Sequence, residues 1–511
     1  MAPITWLLLL LAGASAAAAP QPTNLLFILT DNQPAAILGA YGNPDVRTPH
    51  IDRLADEGMR FKHAFAVNGM CSPTRATLMT GLMPSQHGVH NWLDDEMLDT
   101  WPRDWSAVAE FRTLPLTLRN RGYQTALIGK WHLGQPWKAS LGYEHWVTFT
   151  YGHTLDFWDN TIIENGKTYP VTGQHSVDFF AEKAVEYLQN YAGTRPFYLQ
   201  LNFNGPYLNP PTNLGPARNR HYASYTESDF SSFPRVAFND NVLEQLLDPR
   251  TNEFLRKKHR QAIAMHNDPA TMANVASQNT LVDDGVGRVL AALHARGLDK
   301  NTLVVFSSDQ GNFYGQHGLW QHTVVTSPSN LYEAALNIPL ILRQPGTIAA
   351  GSESSLLVGQ YDLPVTLLDY LGIRDVTLES SPGRSFRSAL IGKSLDWKNE
   401  VFYEQEESRG IRTPRFAYWE RLAGTGQSEL YDMEIDPRQQ NNMIAEPAYQ
   451  ATVAELSGRL GRFFHQYVNS RYDLWQGGTA KGSVIRPKIF KQLYGSQWAP
   501  EAESLPAFSE E

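Results

Sequence analysis

The chain has 511 residues, of which 42% are hydrophobic and 19% charged. This composition excludes a disordered or fibrous protein and is sufficient to bury a large core. The formal net charge of −9 argues against a nucleic-acid partner, because nonspecific nucleic-acid binding depends on clustered Lys and Arg. We therefore expect any anionic ligand to be bound by a local cluster of cations.

Residues 1–19 form an apolar, leucine-rich run that ends in small residues. This pattern predicts a signal peptide, although Lys and Arg are missing before the apolar part, and a retained anchor of this length would be short for a membrane span. No later segment indicates stable membrane insertion. The single cysteine and the lack of an Asn-x-Ser/Thr site predict neither a disulfide framework nor an N-glycan. Together these features predict a bacterial periplasmic or secreted protein.

Short runs of Val, Ile, Leu and Phe alternate with helical patterns along the chain. This alternation predicts an α/β fold, with a large mixed, mostly parallel sheet flanked by helices. The predicted strands are 24–30, 123–128, 196–203 and 303–308, and the predicted helices are 113–121, 176–191 and 278–297.

The predicted domain organisation has three parts. After the signal peptide (1–19), a catalytic domain is expected over 20–390 and a smaller C-terminal α+β subdomain with a tail over 391–511. Aromatic and aliphatic runs at 401–404 and 415–422 predict strands in that subdomain. The stretch 204–250 is too long for an ordinary connection, which is typical of a lid or an insertion.

Polar residues follow each predicted central strand, and the carboxyl ends of parallel strands meet at one edge of a sheet. Asp31, Asn32, Asp309 and Gln310 would supply an all-oxygen ligand set there. Such a set suits a hard cation such as Ca²⁺, and Mg²⁺ remains an alternative. Asp after a strand is also common as a helix cap or turn residue.

The only cysteine, Cys71, lies in the segment Cys-Ser-Pro-Thr-Arg (71–75). We expect Ser72 to cap a helix, Pro73 to occupy its first position and Gly81 to follow its end. Cys71 would then lie at the positive end of the helix, with Arg75 one turn further on the same face. The alternative is that Cys71 is an ordinary small buried hydrophobe.

The segment 71–75 resembles the signature of the type I sulfatases, which share the alkaline phosphatase fold. Other segments resemble further landmarks of that family in the same order, and the resemblance covers roughly residues 23–445. These segments are 23–33, 48–58, 129–134, 308–311 and 429–437.

The resemblance implies that a maturase oxidises Cys71 to formylglycine, whose hydrate attacks the sulfur of a sulfate ester and then expels sulfate. It also implies that Cys71 borders the divalent metal. Lys130 would bind the sulfate group, and His132 would hydrogen-bond the hydrate and act as the base. The implied reaction is hydrolysis of a sulfate ester on a small molecule or, in our interpretation, a glycan.

The chain departs from the family pattern at several positions. Asn32 stands where a second Asp is usual, Gln310 stands where Asn or His is common, and Tyr207 replaces a sulfate-facing His. The Lys expected after the Asp-x-Gly motif is missing. His322 lies near that point and is our candidate for protonating the leaving group, whereas Tyr207 would donate a hydrogen bond or only shape the pocket.

Two other functions remain open at this stage. A phosphodiester or phosphonate monoester hydrolase can share the formylglycine and the metal, so Cys71 does not exclude that activity. A noncatalytic binder of sulfated glycans would keep the anion pocket without turnover. The sequence does not identify the sugar, the sulfate position or the oligomeric state.

Overall fold

A computed structural model describes residues 23–93, 98–154, 156–207, 218–249, 251 and 253–501. The predicted signal peptide (1–19) and residues 208–217 of the long insertion lie outside these ranges. No helix among the described residues combines the length and the apolar character that a membrane crossing requires.

The strands and helices alternate through most of the described chain. The strands are β1 Asn24–Thr30, β2 Met59–Phe65, β3 Gln124–Gly129, β4 His145–Phe149, β5 Asp159–Glu164, β6 Lys167–Thr172, β7 Phe197–Asn202, β8 Thr302–Ser308, β9 Phe313–Tyr314, β10 Trp320–Gln321, β11 Asn337–Ile338, β12 Leu340–Arg343, β13 Ser352–Gly359, β14 Val401–Gln405, β15 Ser408–Arg412, β16 Phe416–Arg421 and β17 Glu429–Asp432. The α-helices are α1 Pro49–Asp56, α2 Cys71–Thr80, α3 Pro84–His87, α4 Leu114–Asn120, α5 Ser176–Gln189, α6 Asp240–Leu247, α7 Glu253–Met265, α8 Pro269–Ala295, α9 Glu333–Leu336, α10 Asp362–Tyr370, α11 Arg387–Leu390, α12 Gln450–Gln466 and α13 Pro487–Tyr494.

An eleven-stranded mixed sheet forms the centre of the molecule. Strands β8, β1, β7, β3 and β4 are mutually parallel, and antiparallel strands extend both ends of this group. The side chains of β1 alternate between two apolar cores: Leu25 and Phe27 belong to one, Leu26 and Ile28 to the other. Helices cover both faces, which confirms the predicted α/β fold.

The four predicted central strands correspond to β1, β3, β7 and β8 within one residue at either end. Helix α8 differs more, because it begins at Pro269 rather than at 278. Asp268 caps it by accepting a hydrogen bond from the Thr271 N–H (2.9 Å), and Pro269 occupies its first turn. This capping signal is readable in the sequence, but the apolar periodicity that led to the prediction begins later.

The second sheet contains the four antiparallel strands β14 to β17. Its apolar face packs against Leu456, Leu460 and Phe464 of α12. The C-terminal α+β subdomain is therefore present. The boundary at 390/391 stays a prediction, and the first strand of the second sheet begins at Val401.

Candidate active site at the carboxyl ends of the central strands

Helix α2 carries Cys71 as its first residue, and all ten of its side chains are buried. The residue before it, Met70, occupies the N-cap position without a side-chain cap, so the expected cap at Ser72 is wrong. The Ser72 hydroxyl instead accepts a hydrogen bond from the Leu93 N–H at 3.0 Å. Pro73 is consequently the third helical residue, whereas Gly81 ends the helix in the left-handed conformation as predicted (φ 73°).

The Cys71 side chain faces the ends of β1 and β8. Its sulfur lies 3.5 Å from Asp31 Oδ1, 3.9 Å from Asn32 Oδ1 and 3.5 Å from Gln310 Nε2. Ligand atoms of Asp31, Cys71 and Asp309 all lie within 4.8 Å of one another, so these three buried residues could hold a metal ion. Burial, and secondarily the charge of Asp31, raises the pKa of the Cys71 thiol.

Two buried ion pairs fix the carboxylates beside Cys71. Lys130 Nζ lies 2.6 Å from Asp31 Oδ2, and the guanidinium of Arg75 donates through Nε and Nη2 to Asp309 Oδ2 at 3.0 and 2.8 Å. The backbone N–H groups of Asn32 and Gln310 donate to the other oxygen of Asp309. The two carboxylates and two cations therefore have no net charge.

The oxygen atoms around Cys71 are suited to binding a hard cation. Burial and the nearby charge of Asp309 raise the pKa of Asp31 despite Lys130 and Arg75, so a further positive charge would stabilise both ionised carboxylates. Gln310 Nε2 donates to Asn32 Oδ1 at 2.5 Å, while the buried Gln310 Oε1 has no hydrogen-bond partner among the described residues. Rotation of this amide would place Oε1 beside Asn32 Oδ1 and complete an oxygen cluster.

A sharp bend after β3 brings Lys130 into the site. Gly129 has a φ of 113°, and a Cβ there would lie 1.8 Å from the Asn202 carbonyl oxygen, so only glycine fits. Two residues separated by one position point to the same side of an extended segment. Lys130 and His132 do not lie in such a segment, since His132 adopts a left-handed conformation with φ 57°.

His132 nevertheless borders the same pocket. Its Nε2 lies 3.0 Å from the Leu93 carbonyl oxygen and must carry the proton to donate to it, which leaves Nδ1 as the acceptor. Nδ1 is buried and has no hydrogen-bond partner in the described part of the chain. Burial, with the charges of Lys130 and His153, holds the pKa of His132 well below its usual value. The neutral ring can therefore accept a proton at Nδ1.

Sequence reasoning missed His153, whose ring stacks on His132 with a centroid separation of 4.6 Å and an angle of 11°. His153 also meets the ring of Tyr207 edge-on at 5.9 Å. A signal was available, because Tyr-Gly-His (151–153) closely follows β4 and its end joins the same edge of the sheet.

Tyr207 and His322 lie beside Lys130 and Asn32 at the same site. The Tyr207 ring lies 5.1 Å from Lys130 Nζ and 5.9 Å from the His322 ring, and it packs in one small cluster with Cys71. His322 Nδ1 lies 3.5 Å from Asn32 Nδ2. Burial, followed by the charges of Lys258 and Lys130, lowers the pKa of His322 to about 3, so the ring is neutral near pH 7. A neutral imidazole is not an acid at this pH, so His322 can protonate a leaving group only when a bound anion raises its pKa. Its assignment as a proton donor stays a prediction.

The structure thus brings all ten predicted residues together at one edge of the sheet: Asp31, Asn32, Cys71, Arg75, Lys130, His132, Tyr207, Asp309, Gln310 and His322. Their individual roles stay predictions. The Sulfatase family model matches residues 23–373, which is more than half of the chain. This chain belongs to the sulfatase family. A second family model, described as N-sulphoglucosamine sulphohydrolase, C-terminal, matches residues 315–466 of this sulfatase.

Similar proteins cover nearly the whole sulfatase. The N-acetylglucosamine-6-O-sulfatase of Bacteroides thetaiotaomicron is 28% identical, and the alignment covers 91% of this chain and 92% of the relative. A solved structure of a protein in complex with its substrate D-glucosamine-2-N,6-O-disulfate has a TM-score of 0.70 at 26% identity, covering 88% of this chain and 98% of that chain. The phosphonate monoester hydrolase of Agrobacterium radiobacter shares the fold, with a TM-score of 0.65, 21% identity and coverage of 88% and 96%.

These findings confirm two predictions from the sequence. The chain is a sulfuric ester hydrolase, and its fold is that of the alkaline phosphatase-like enzymes with a C-terminal subdomain. The noncatalytic alternative is therefore set aside.

Proposed function

We propose that this sulfatase hydrolyses a sulfate ester on a carbohydrate, with 6-O-sulfated amino sugars as the first candidates. The proposal rests chiefly on the position of Cys71 among two carboxylates and two cations at the sheet edge. The curated relative and the solved complex support the choice of sugar, since both names refer to sulfated glucosamines. Half-buried Trp158 packs against the cluster that contains Cys71 and Tyr207, and the Arg218 guanidinium lies over its ring at 4.3 Å.

The nucleophile in this proposal is formylglycine made from Cys71 by a maturase. As a hydrate, that group supplies one hydroxyl for attack on sulfur and a second one for release of the product. Arg75 does not depend on the substrate for its position, because Asp309 and the Lys130 carbonyl oxygen already hold its guanidinium. It can therefore orient the first turn of α2 and with it residue 71.

The metal in this proposal is Ca²⁺, with Mg²⁺ as the alternative. Asp31, Asn32, Asp309, Gln310 and residue 71 would hold it. The ion would supply positive charge for the sulfate oxygens. Asn32 and Gln310 contribute neutral amide oxygens, so the site carries less negative charge than one with three carboxylates.

The surrounding side chains then have defined tasks. Lys130, which already spans from Asp31 to the face of Tyr207, is placed to bind a sulfate oxygen. His132 can accept a proton at Nδ1 because its Nε2–H is committed to Leu93. His322 is the candidate for the leaving-group side of the reaction. Export to the periplasm or medium belongs to the same proposal and rests on residues 1–19.

A parallel substrate screen tests the proposal. Protein coexpressed with a maturase is assayed on sulfated mono- and oligosaccharides and on a phosphonate monoester, and intact-mass measurement determines whether Cys71 is oxidised. We expect turnover of a sulfated amino sugar, oxidised Cys71 and no turnover by Cys71→Ala at unchanged melting temperature. Preferential hydrolysis of the phosphonate, or an active Cys71→Ala variant, would contradict it.

A further inference from the structure

Helix α7 follows the long insertion in the chain. It packs against the residue that precedes Cys71 and against the segment that follows His322. Leu255 forms a buried apolar cluster with Met70, which immediately precedes Cys71, and with Val324. His259 Nε2 lies 3.1 Å from the Val325 carbonyl oxygen, and the Gln321 side chain donates to the Lys258 carbonyl oxygen at 3.5 Å. The helix is thus held on both sides of His322.

Lys258 lies on the same face of this helix, since residues three and four apart are neighbours on a helix surface. Its side chain is half-buried, whereas that of the preceding Lys257 is exposed. The charge of Lys258 contributes to lowering the pKa values of His322 and His153. Leu255 and His259 of the same face contact Met70, Val324 and Val325, so Lys258 lies on the face of α7 that is turned toward the site.

The other charged side chains that the structure describes at the site do not supply a net positive charge for binding an anion. Asp31 and Asp309 are neutralised by Lys130 and Arg75, so these four side chains give no net attraction for an anion beyond that of a bound cation. The segment 311–332, which follows Asp309 and includes His322, contains neither Lys nor Arg. Lys258 is supplied to this side of the pocket by a different part of the chain.

We propose that Lys258 contacts the sulfate group of a substrate bound beside residue 71, so that helix α7 completes the anion site. The proposal rests on the proposed function, because it takes the sulfate ester to bind at Cys71. Lys258 keeps a net positive charge at neutral pH, since burial lowers its pKa only to about 8. A bound anion stabilises the charged form further.

Binding without turnover separates this contact from the chemistry. In a Cys71→Ala background with Ca²⁺ present, calorimetry measures the affinities for N-acetylglucosamine 6-sulfate and for unsulfated N-acetylglucosamine. We expect Lys258→Met to weaken binding of the sulfated sugar roughly 10- to 100-fold, because a charge-assisted hydrogen bond is lost. Binding of the unsulfated sugar should stay unchanged.

Matched variants exclude a merely structural effect. Lys257→Met removes the neighbouring exposed lysine and should bind like the parent, while Lys258→Arg should recover most of the affinity. Melting temperatures of all variants report on folding. Equal affinity of the parent and Lys258→Met, or equal loss for both sugars, overturns the contact with sulfate. Absence of binding by the parent itself overturns the proposed function, and this inference falls with it.

Discussion

One wall of the pocket is built from the ends of β1, β3 and β8 together with α2, and the other from the loops and helix that carry His153, Tyr207, His322 and Lys258. In the first wall, short ion pairs and backbone N–H groups fix each charged side chain. In the second wall, aromatic rings pack against one another in stacked, edge-on and tilted arrangements, with centroid separations of 4.6 to 5.9 Å. The ion pairs hold the charged groups of the first wall in place, and the packed rings determine the shape of the second wall.

This difference indicates how the two walls divide the work. Buried ion pairs tolerate little change, because removal of one partner leaves an uncompensated charge in a low dielectric. Stacked rings tolerate substitution by other rings at small cost. We therefore expect the strand-end wall to control whether the enzyme turns over at all, and the loop wall to control which ester it accepts and how fast the leaving group departs.

The largest effect is expected in the strand-end wall. Asp309→Asn removes the partner of Arg75 and a metal ligand, so turnover should fall by at least about 10²-fold and bound Ca²⁺ should be lost, as measured by elemental analysis. Gln310→Ala removes only an amide and should cost about 10-fold. Chelation should abolish activity of the parent.

Asp283→Asn is the matched control, because Asp283 is also a fully buried carboxylate that accepts two backbone hydrogen bonds, from His50 and Ile51, but lies outside the pocket. It should retain Ca²⁺ and turnover. A fully active Asp309→Asn variant after exhaustive chelation would remove the metal from the proposed function.

An intermediate effect is expected for His322, and it should depend on the leaving group. His322→Ala should slow hydrolysis of a sugar sulfate by on the order of 10²-fold if the residue protonates the departing alkoxide. Nitrophenyl sulfate needs no acid and should be affected far less. Tyr207→Phe should show a smaller loss of similar size on both substrates, because a phenol contributes a single hydrogen bond. Equal losses for His322→Ala on both esters would assign this residue to binding.

The smallest effect is expected for His153, which we infer to be a positioning residue for His132. His153→Ala removes the stacked ring and should lower kcat by about 2- to 10-fold, in line with the usual strength of such contacts. His153→Phe keeps a ring and should stay close to the parent, with KM unchanged in both variants. If Phe is as damaging as Ala, the ring nitrogens of His153 contact the substrate instead.

The strand-end wall could be predicted from the sequence, and the loop wall only in part. Asp31, Lys130 and Asp309 each follow a parallel strand, and parallel strands bring their carboxyl ends together whatever the loops do. Lys258 follows no such rule, since the position of helix α7 depends on tertiary packing such as that of Leu255 on Met70. His153 does follow a parallel strand, but it comes four residues after the end of β4. The left-handed backbone at His132 was also not predicted, because residues other than glycine adopt it uncommonly.

The burial of α2 has a consequence for the order of Cys71 oxidation and folding. A maturase has to bind the residues around Cys71, yet every side chain from Cys71 to Thr80 is buried in the folded chain. On the proposed mechanism, oxidation must therefore come before folding, while the segment is still an extended peptide. A molecule that folds first keeps its thiol and stays inactive. The specific activity of a preparation then depends on the fraction of molecules in which Cys71 was oxidised before the chain folded.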